Sequence, residues 1–330
     1  MADIYEIARL CGVSSATVSR VINGNPKVSA ETKARVLQVI DEIGFVPNAF
    51  ARGLNFNSLG IVGVVCTDFG DVFFSQAVSY IENLLKESGF SAMLVCTGYS
   101  LEGKKQGLEQ LALKNVDAIV LIGTVFQEKN NEYIAEIAKR IPVFTVNSIF
   151  EYENVYSVRC DEREAAKGAA IAFSNAHCKH PLCLYEQPSY GNLEKVEGFK
   201  DGAKICGINV EQDYIVSIMG TKEEAISIIK KVIAMHGDKV DAIFATNDTL
   251  AVYALKAMKA MQIELPVIGF NNSMIATLST PEITSIDNRL EEMCKITVEH
   301  LTQLKQDHKK PVSKTLLKGN IVYRETFQKG

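Results

Sequence analysis

The chain reads as an α/β protein: a small N-terminal all-α helix-turn-helix unit, then a long core of two doubly wound parallel-sheet subdomains. Three observations predict this. In the first 46 residues apolar positions recur at helical spacing between small polar starters and glycine stops. From Leu59 onward short apolar runs alternate with amphipathic stretches, the pattern of parallel strands covered by helices on both faces. Near Asp161 that series breaks and a second, similar one begins.

Asp3 and Glu6 have the spacing of a capping box, and Ile4, Ile7, Ala8 and Cys11 share one face of a first helix that Gly12 ends. Ser14 caps a second helix reaching Asn23, with Val18, Val21 and Ile22 inward and Ser15, Ala16, Ser19 and Arg20 outward. Ser29 caps a third, whose predicted buried side is Val36, Leu37, Ile40 and Ile43 and whose stop is Gly44. Two helices across a tight Gly-Val-Ser turn have the shape that lays its second helix in the DNA major groove. Ser14, Ser15 and Thr17 are small enough to reach phosphates or base edges, and Arg20 is long enough for a guanine edge. An ordinary three-helix bundle with surface serines is the competing reading. Pro47 suits the first turn of a helix, and Ala49, Ala51 and Gly53 keep that helix thin, with Leu54 at its end. A slender helix tipped by a large aliphatic side chain suits a minor-groove wedge.

In the core, the first series runs LGIVGVVC, a helix over 71–88, FSAMLVC, a helix over 101–114, VDAIVLI, a helix over 128–140, then PVFTV and NVYSVRC. The second runs PLCLYE, a helix over 192–207, YIVSI, a helix over 222–235 boxed by Thr221 and Glu224, VDAIFAT, a helix over 248–262, and LPVIGF. A helix over 289–306 and strands near Thr315 to Val322 return the chain between the halves. Two such sheets leave a cleft at the carboxyl ends of their strands, where helix N-termini converge and a small polar ligand fits. Phe73 and Phe74, after the first strand, can stack on a sugar ring or purine, or plug the helix start into the core. Asn247 and Asp248, after the third strand of the second half, can face a ligand or act as caps.

SSATVSRVINGNPKVSAETKARV followed by PNAFARGL resembles the headpiece and hinge of the lactose-repressor (LacI/GalR-type) family of bacterial transcription regulators, and the likeness runs the length of the chain. It implies a headpiece over 1–46, a hinge helix and linker over 47–58, and a periplasmic-binding-protein-like core over 59–330. Within that core it implies an N-subdomain of about 59–160 plus 289–318 and a C-subdomain of about 161–288 plus 319–330. Ser15, Ala16 and Arg20 are implied to read the major groove, with Tyr5, Ser14, Thr17, Asn23 and Thr32 at phosphates and Leu54 of two subunits at a central base step. Ser19, Asn48 and Ala51 complete the DNA-facing set. The effector set is Asp71, Phe73, Phe74, Tyr190, Lys195, Asn247, Asp248 and Asn271.

This chain departs from the family pattern in places. Pro26 stands where some members carry a basic base-reading residue, and Asp71-Val72 stands where Asn-Pro is common. Lys195 replaces an Arg, keeping the charge but losing the planar fork, and a solvated helix-face lysine is its competing reading. Asn271 replaces an Asp, which points to a less cationic ligand or to one bound through different groups. The Phe-Asn-Asn-Ser run resembles maltose-type regulators and favours an oligosaccharide effector.

With 330 residues, 47% hydrophobic and 22% charged, the chain has the composition of an ordinary globular protein, and no apolar run reaches the length of a membrane span. No N-terminal export signal is legible, so a cytoplasmic protein is expected. Eight scattered cysteines inside apolar runs fit free thiols, and His177, Cys178, His180 and Cys183 are badly spaced for zinc, so neither metal nor cofactor is expected. The net charge is −4, yet residues 1–58 carry six basic and five acidic side chains. A headpiece that close to neutral predicts few phosphate ion pairs per subunit. The expected function is a homodimeric, ligand-responsive repressor of a carbohydrate operon, on a palindromic operator of double-stranded DNA. The runner-up is a solute-binding protein of the same core without a DNA role. No G-x-S-x-G, Walker loop or G-x-G-x-x-G after a strand is present, so an enzyme is not expected.

Overall fold

The structure, a computed structural model, describes residues 4–22, 27–43, 59–208 and 210–329. It divides into two compact units, 1–61 and 62–330. Asp3, Asn23, Pro26 and the whole hinge segment, with Asn48, Ala51 and Leu54, lie outside the described residues.

In the first unit α1 (Ile4–Cys11), α2 (Ser15–Ile22) and α3 (Ala30–Glu42) enclose a core of Ile7, Ala8, Cys11, Val18, Val21 and Val36. Gly12 makes the turn between α1 and α2 at φ +62°, a conformation costly for any residue with a Cβ. Ser14 Oγ accepts from the Thr17 amide at 3.2 Å, and Ser29 Oγ from the Thr32 amide at 3.3 Å, so both predicted caps form. Leu37 corrects the expected buried face: it is 43% exposed, because Val36 alone takes the inward position on that turn.

The second unit holds two six-stranded sheets. The first has the order β11-β5-β4-β3-β1-β2, with β1 (Ile61–Cys66), β2 (Ser91–Cys96), β3 (Ala118–Ile122), β4 (Val143–Val146), β5 (Val155–Cys160) and β11 (Lys314–Leu317). The second has the order β12-β10-β9-β8-β6-β7, with β6 (Pro181–Tyr185), β7 (Ile215–Ser217), β8 (Ala242–Ala245), β9 (Val267–Phe270), β10 (Thr284–Asp287) and β12 (Asn320–Val322). Only β12 among the second sheet's strands runs antiparallel to its neighbour. Strands β3 and β8 are buried along their whole length, which is why they read as unbroken apolar runs. Edge strand β2 has no fully buried residue and leaves Leu94 46% exposed.

Helices α4 (Val72–Glu87), α5 (Leu101–Leu113), α6 (Glu132–Ala138), α7 (Glu162–Asn175), α8 (Tyr190–Ile205), α9 (Lys222–His236), α10 (Asp248–Met261), α11 (Met274–Leu278) and α12 (Leu290–Lys305) cover the sheets. Thr221 and Glu224 close the expected capping box on α9. Helix α6 is shorter than the expected 128–140. A 3₁₀ turn at Thr124–Phe126 precedes it, and Glu128 turns back to hold the Lys104 ammonium at 3.3 Å. The periodic reading also missed β10 and α11. Thr284 and Ser285 are wholly buried but polar, so β10 carries no hydropathy signal; Thr284 Oγ1 donates to the Phe327 carbonyl and Ser285 Oγ to Asp248.

The chain passes between the sheets at α7, at α12 and at Lys318–Gly319. At the last crossing a Cβ on Gly319 would stand 2.9 Å from Ala165 Cβ and 3.0 Å from the Asp287 carbonyl, so glycine permits the close approach. One apolar cluster runs from Val62 and Phe144 of the first sheet through Phe173 of α7 to Phe244 and Phe270 of the second.

Candidate effector cleft and nucleic-acid interface

The headpiece surface follows from α2's amphipathicity. With Val18 and Val21 buried, Ala16 and Arg20 are exposed and Ser15, Thr17 and Ser19 half-buried on the helix's other side. Ser14 is exposed, its Oγ 2.9 Å from Thr17 Oγ1. Tyr5 on α1 is 71% exposed, and Thr32 at the start of α3 accepts from Ser29 Oγ at 2.9 Å. This polar face, with no large apolar side chain on it, can meet a phosphate backbone and base edges.

In the second unit a cavity of about 160 Å³ opens where parallel strands end. Its walls are the residues that directly follow the strands: Gly123 and Thr124 after β3, Asn147 after β4, Glu162 after β5, Glu186 and Gln187 after β6, Thr246 and Asn247 after β8, and Asn271 after β9. Asp71, Phe73 and Phe74 close it from the start of α4, with Tyr99 beside them.

Lys195 sits at the cavity's base. It is 7% exposed, which overturns the solvated-lysine reading. Its Nζ lies 3.3 Å from Glu162 Oε1, donates to the Thr246 carbonyl at 3.2 Å, and stands 4.3 Å from the centre of the Phe270 ring. Asn147 Nδ2 donates to the same Glu162 oxygen at 3.1 Å. Gly191 lets the start of α8 come this close, since a Cβ there would fall 2.6 Å from Thr124 Oγ1 and 2.7 Å from Glu162 Oε2.

Asp71 caps α4, its Oδ1 accepting from the Phe73 amide at 2.8 Å and the Phe74 amide at 3.3 Å. Burial pushes its carboxyl above the usual carboxylate range, while those two amides pull it back. Glu186 is pushed the same way by burial, against a hydrogen bond from the Asn247 side chain. Asn247 caps α10 through Oδ1, 2.8 Å from the Leu250 amide, and still lines the cavity.

Six of the eight expected effector residues therefore meet at this cavity: Asp71, Phe73, Phe74, Lys195, Asn247 and Asn271. Phe74 is 6% exposed and largely plugs the core, with Phe73 edge-on at 5.5 Å. The other two do not reach it. Asp248 is 1% exposed and faces the interior of the second sheet's layer, accepting from the Ser273 amide at 2.7 Å, Ser273 Oγ at 2.8 Å and Ser285 Oγ at 2.6 Å. Tyr190 stands outside the lining, its hydroxyl accepting from Arg159 at 3.3 Å. Sequence reasoning missed Glu162, Glu186, Asn147 and Thr246. The same strand-end rule that located Asn247, applied to every strand, finds all four.

Among the described residues no cluster of His, Cys, Asp and Glu is gathered for a metal. His177 adopts φ +65° in a turn, His180 donates its amide to Asp241 at 2.9 Å, and burial pushes the Cys178 thiol up to about 11. No described helix is long and apolar enough to cross a membrane.

Residues 3–48 match the family profile described as bacterial regulatory proteins, lacI family, and residues 172–327 match a periplasmic binding protein-like domain. An HTH-type transcriptional regulator of Lachnoclostridium phytofermentans is 36% identical over 335 residues, covering 98% of this chain and 99% of its own length. The structure of the lac repressor dimer bound to operator and the anti-inducer ONPF superposes with a TM-score of 0.84 at 19% identity, over 98% of both chains. A complex of the transcriptional regulator CelR with cellobiose gives a TM-score of 0.71 at 21% identity, over 99% of this chain and 100% of that one. With its three-helix headpiece and two-sheet core, the chain belongs to the lacI family of bacterial regulatory proteins and is a DNA-binding transcription regulator.

Proposed function

We propose that this regulator is a cytoplasmic homodimeric repressor of a carbohydrate-utilisation operon, whose hold on a palindromic operator is set by a small effector in the cleft. The carrying observation is the convergence of polar side chains from seven strand and helix ends on one cavity built around the buried Lys195–Glu162 pair. Strand ends from both sheets contribute, so a ligand touching both favours one relative arrangement of the two halves over another. That differential contact is the physical requirement for allosteric control, with couplings of about 1–3 kcal/mol in comparable systems. The sugar class is supported by the cellobiose bound to CelR and by Phe73, whose half-buried ring can stack on a pyranose.

The DNA role is assigned to Tyr5, Ser14, Ser15, Ala16, Thr17, Ser19, Arg20 and Thr32 of the headpiece, with Asn23, Asn48, Ala51 and Leu54. A thermal-shift screen against sugars, repeated with a selected inverted-repeat operator, tests the whole reading. The expected result is a ligand that raises the core's melting temperature and changes operator affinity; a ligand that does the first alone contradicts gating. Arg20→Ala and Leu54→Ala are expected to weaken operator binding at least tenfold with unchanged folding.

A further inference from the structure

The cleft's charge balance is unusual for a neutral-sugar site. Its lining holds three carboxylates, Asp71, Glu162 and Glu186, against one cation, Lys195. Lys195 and Glu162 are already engaged with each other at 3.3 Å, both nearly inaccessible, and Lys195 attracts Asp71 and Glu186 only from farther off. Asp71 and Glu186 are left with the net charge. Among the described residues neither has an ion-pair partner; each has only hydrogen-bond donors, the α4 amides for Asp71 and the Asn247 amide for Glu186. Glu186 also feels the negative charge of Asp71, Asp71 feels that of Asp68, and both feel the attraction of Lys195. Two half-buried carboxylates without an ion-pair partner on one small cavity are a standing cost.

A second feature of the same wall has no partner. Thr246 lines the cavity and is wholly buried, and its Oγ1 has no hydrogen bond among the described residues. Buried hydroxyls are nearly always satisfied, so an unsatisfied one in a cavity-lining residue points to a polar partner there, a ligand atom or a water. Phe73, at the rim, offers an aromatic face to a C–H surface or to an ammonium.

We propose that the cleft selects a cationic, hydroxylated ligand, an amine-bearing sugar, whose ammonium sits between Asp71 and Glu186 while a ring hydroxyl meets Thr246. This deepens the effector reading and rests on it. A phosphorylated or carboxylated ligand would add negative charge beside two carboxylates that lack a counter-ion. A neutral sugar would hydrogen-bond to them but leave their charge uncompensated as the cleft loses water. An ammonium supplies the missing charge and up to three donors. The Asn at position 271, which in sequence pointed to a less cationic ligand, removes one carboxylate from the wall, but Asp71 and Glu186 outweigh it. Its side-chain carbonyl is moreover occupied by Asn288 Nδ2 at 3.0 Å.

The test uses the full-length protein and matched pairs: glucosamine with glucose, galactosamine with galactose, mannosamine with mannose, the glucosamine disaccharide with cellobiose, and glucose 6-phosphate. Binding is read by calorimetry and melting temperature near neutral pH. At least one amine is expected to bind tenfold or more tightly than its neutral partner, with glucose 6-phosphate silent. Glu186→Gln, which keeps the shape of the side chain and removes its charge, is expected to erase that preference. Equal or tighter binding of a neutral or phosphorylated sugar overturns the charge inference and leaves the cleft's effector role standing. Silence of every amine overturns the inference as well, and the effector role is then decided by the operator-coupled screen.

Discussion

Lys195 and Glu162 form the one ion pair in which both side chains are buried, 8% and 5% exposed, among the described residues. Such a pair is tolerated because each charge solvates the other, and its worth shows only when one partner is removed. Lys195→Met leaves Glu162 with the Asn147 amide alone, and the expected loss of unfolding free energy is about 3–5 kcal/mol. Adding Glu162→Gln is expected to recover most of it, and a denaturant double-mutant cycle on the full-length protein checks the coupling. Glu186 behaves in the opposite sense. Burial raises its carboxyl above the ordinary 4.5, so the native state holds that proton more tightly than the unfolded chain does. Ionised Glu186 therefore costs stability, fully above its native pKa and not at all below its unfolded value. Glu186→Gln is expected to raise the melting temperature of the unliganded protein at neutral pH. The advantage should shrink as pH falls toward 4.5 and then vanish. A melting series from pH 7.5 to 4 reads this; a variant that melts lower than wild type throughout contradicts it.

Among the elements, α7 and α8 pack with glycines at the seam. A Cβ on Gly198 would stand 2.0 Å from the Arg163 carbonyl, and one on Gly202 2.4 Å from that of Lys167. These are backbone atoms, so the helices must separate to admit a methyl. Gly198→Ala is expected to destabilise the core by about 1–3 kcal/mol or more through overpacking. Gly168 on α7 meets nothing within 4 Å, and Gly168→Ala is expected to stabilise by about 0.5–1 kcal/mol through helix propensity alone. Equilibrium unfolding of the two variants gives opposite signs if the seam is as close as described. The fold was legible wherever an element announced itself by apolar run or cap: β1, β3 and β8 by continuous apolar residues, α9 by Thr221 and Glu224. It was illegible where burial is paid for by hydrogen bonds, as in β10, whose Thr284 and Ser285 look like loop residues until their partners Phe327 and Asp248 are in place. The cleft divides along the same line. Asn247 and Asn271 follow from strand ends, but Asp248 and Tyr190 needed side-chain direction, and neighbours in sequence at a helix start point different ways. Glu162 and Lys195 are far apart in sequence, and only the packing of α7 on α8 reveals them as a pair.

At the scale of the molecule, the charge distribution sets how the regulator holds DNA. The 58 N-terminal residues carry six basic and five acidic side chains, so phosphate neutralisation per headpiece is limited. If each headpiece of a dimer neutralises about two phosphates, the slope of log affinity against log salt is roughly −4 or shallower. A slope near −10, measured on the full-length protein with its operator, contradicts that. On the proposed homodimeric reading, affinity then comes from placing two headpieces at the correct separation, which makes the state of the core decisive. On the proposed effector-gated reading, ligand and operator are coupled through one equilibrium of that core, and thermodynamic linkage makes the coupling reciprocal. Whatever factor the effector imposes on operator affinity, the operator must impose on effector affinity, with about 5–150-fold the expected range. Titrating effector into the protein with and without saturating operator, and operator with and without saturating effector, gives two ratios that must agree. In Arg20→Ala, at concentrations where the operator no longer binds, adding operator must leave effector affinity unchanged. Two unequal ratios in the wild type would mean that a second process, such as a change in dimerisation, accompanies effector binding.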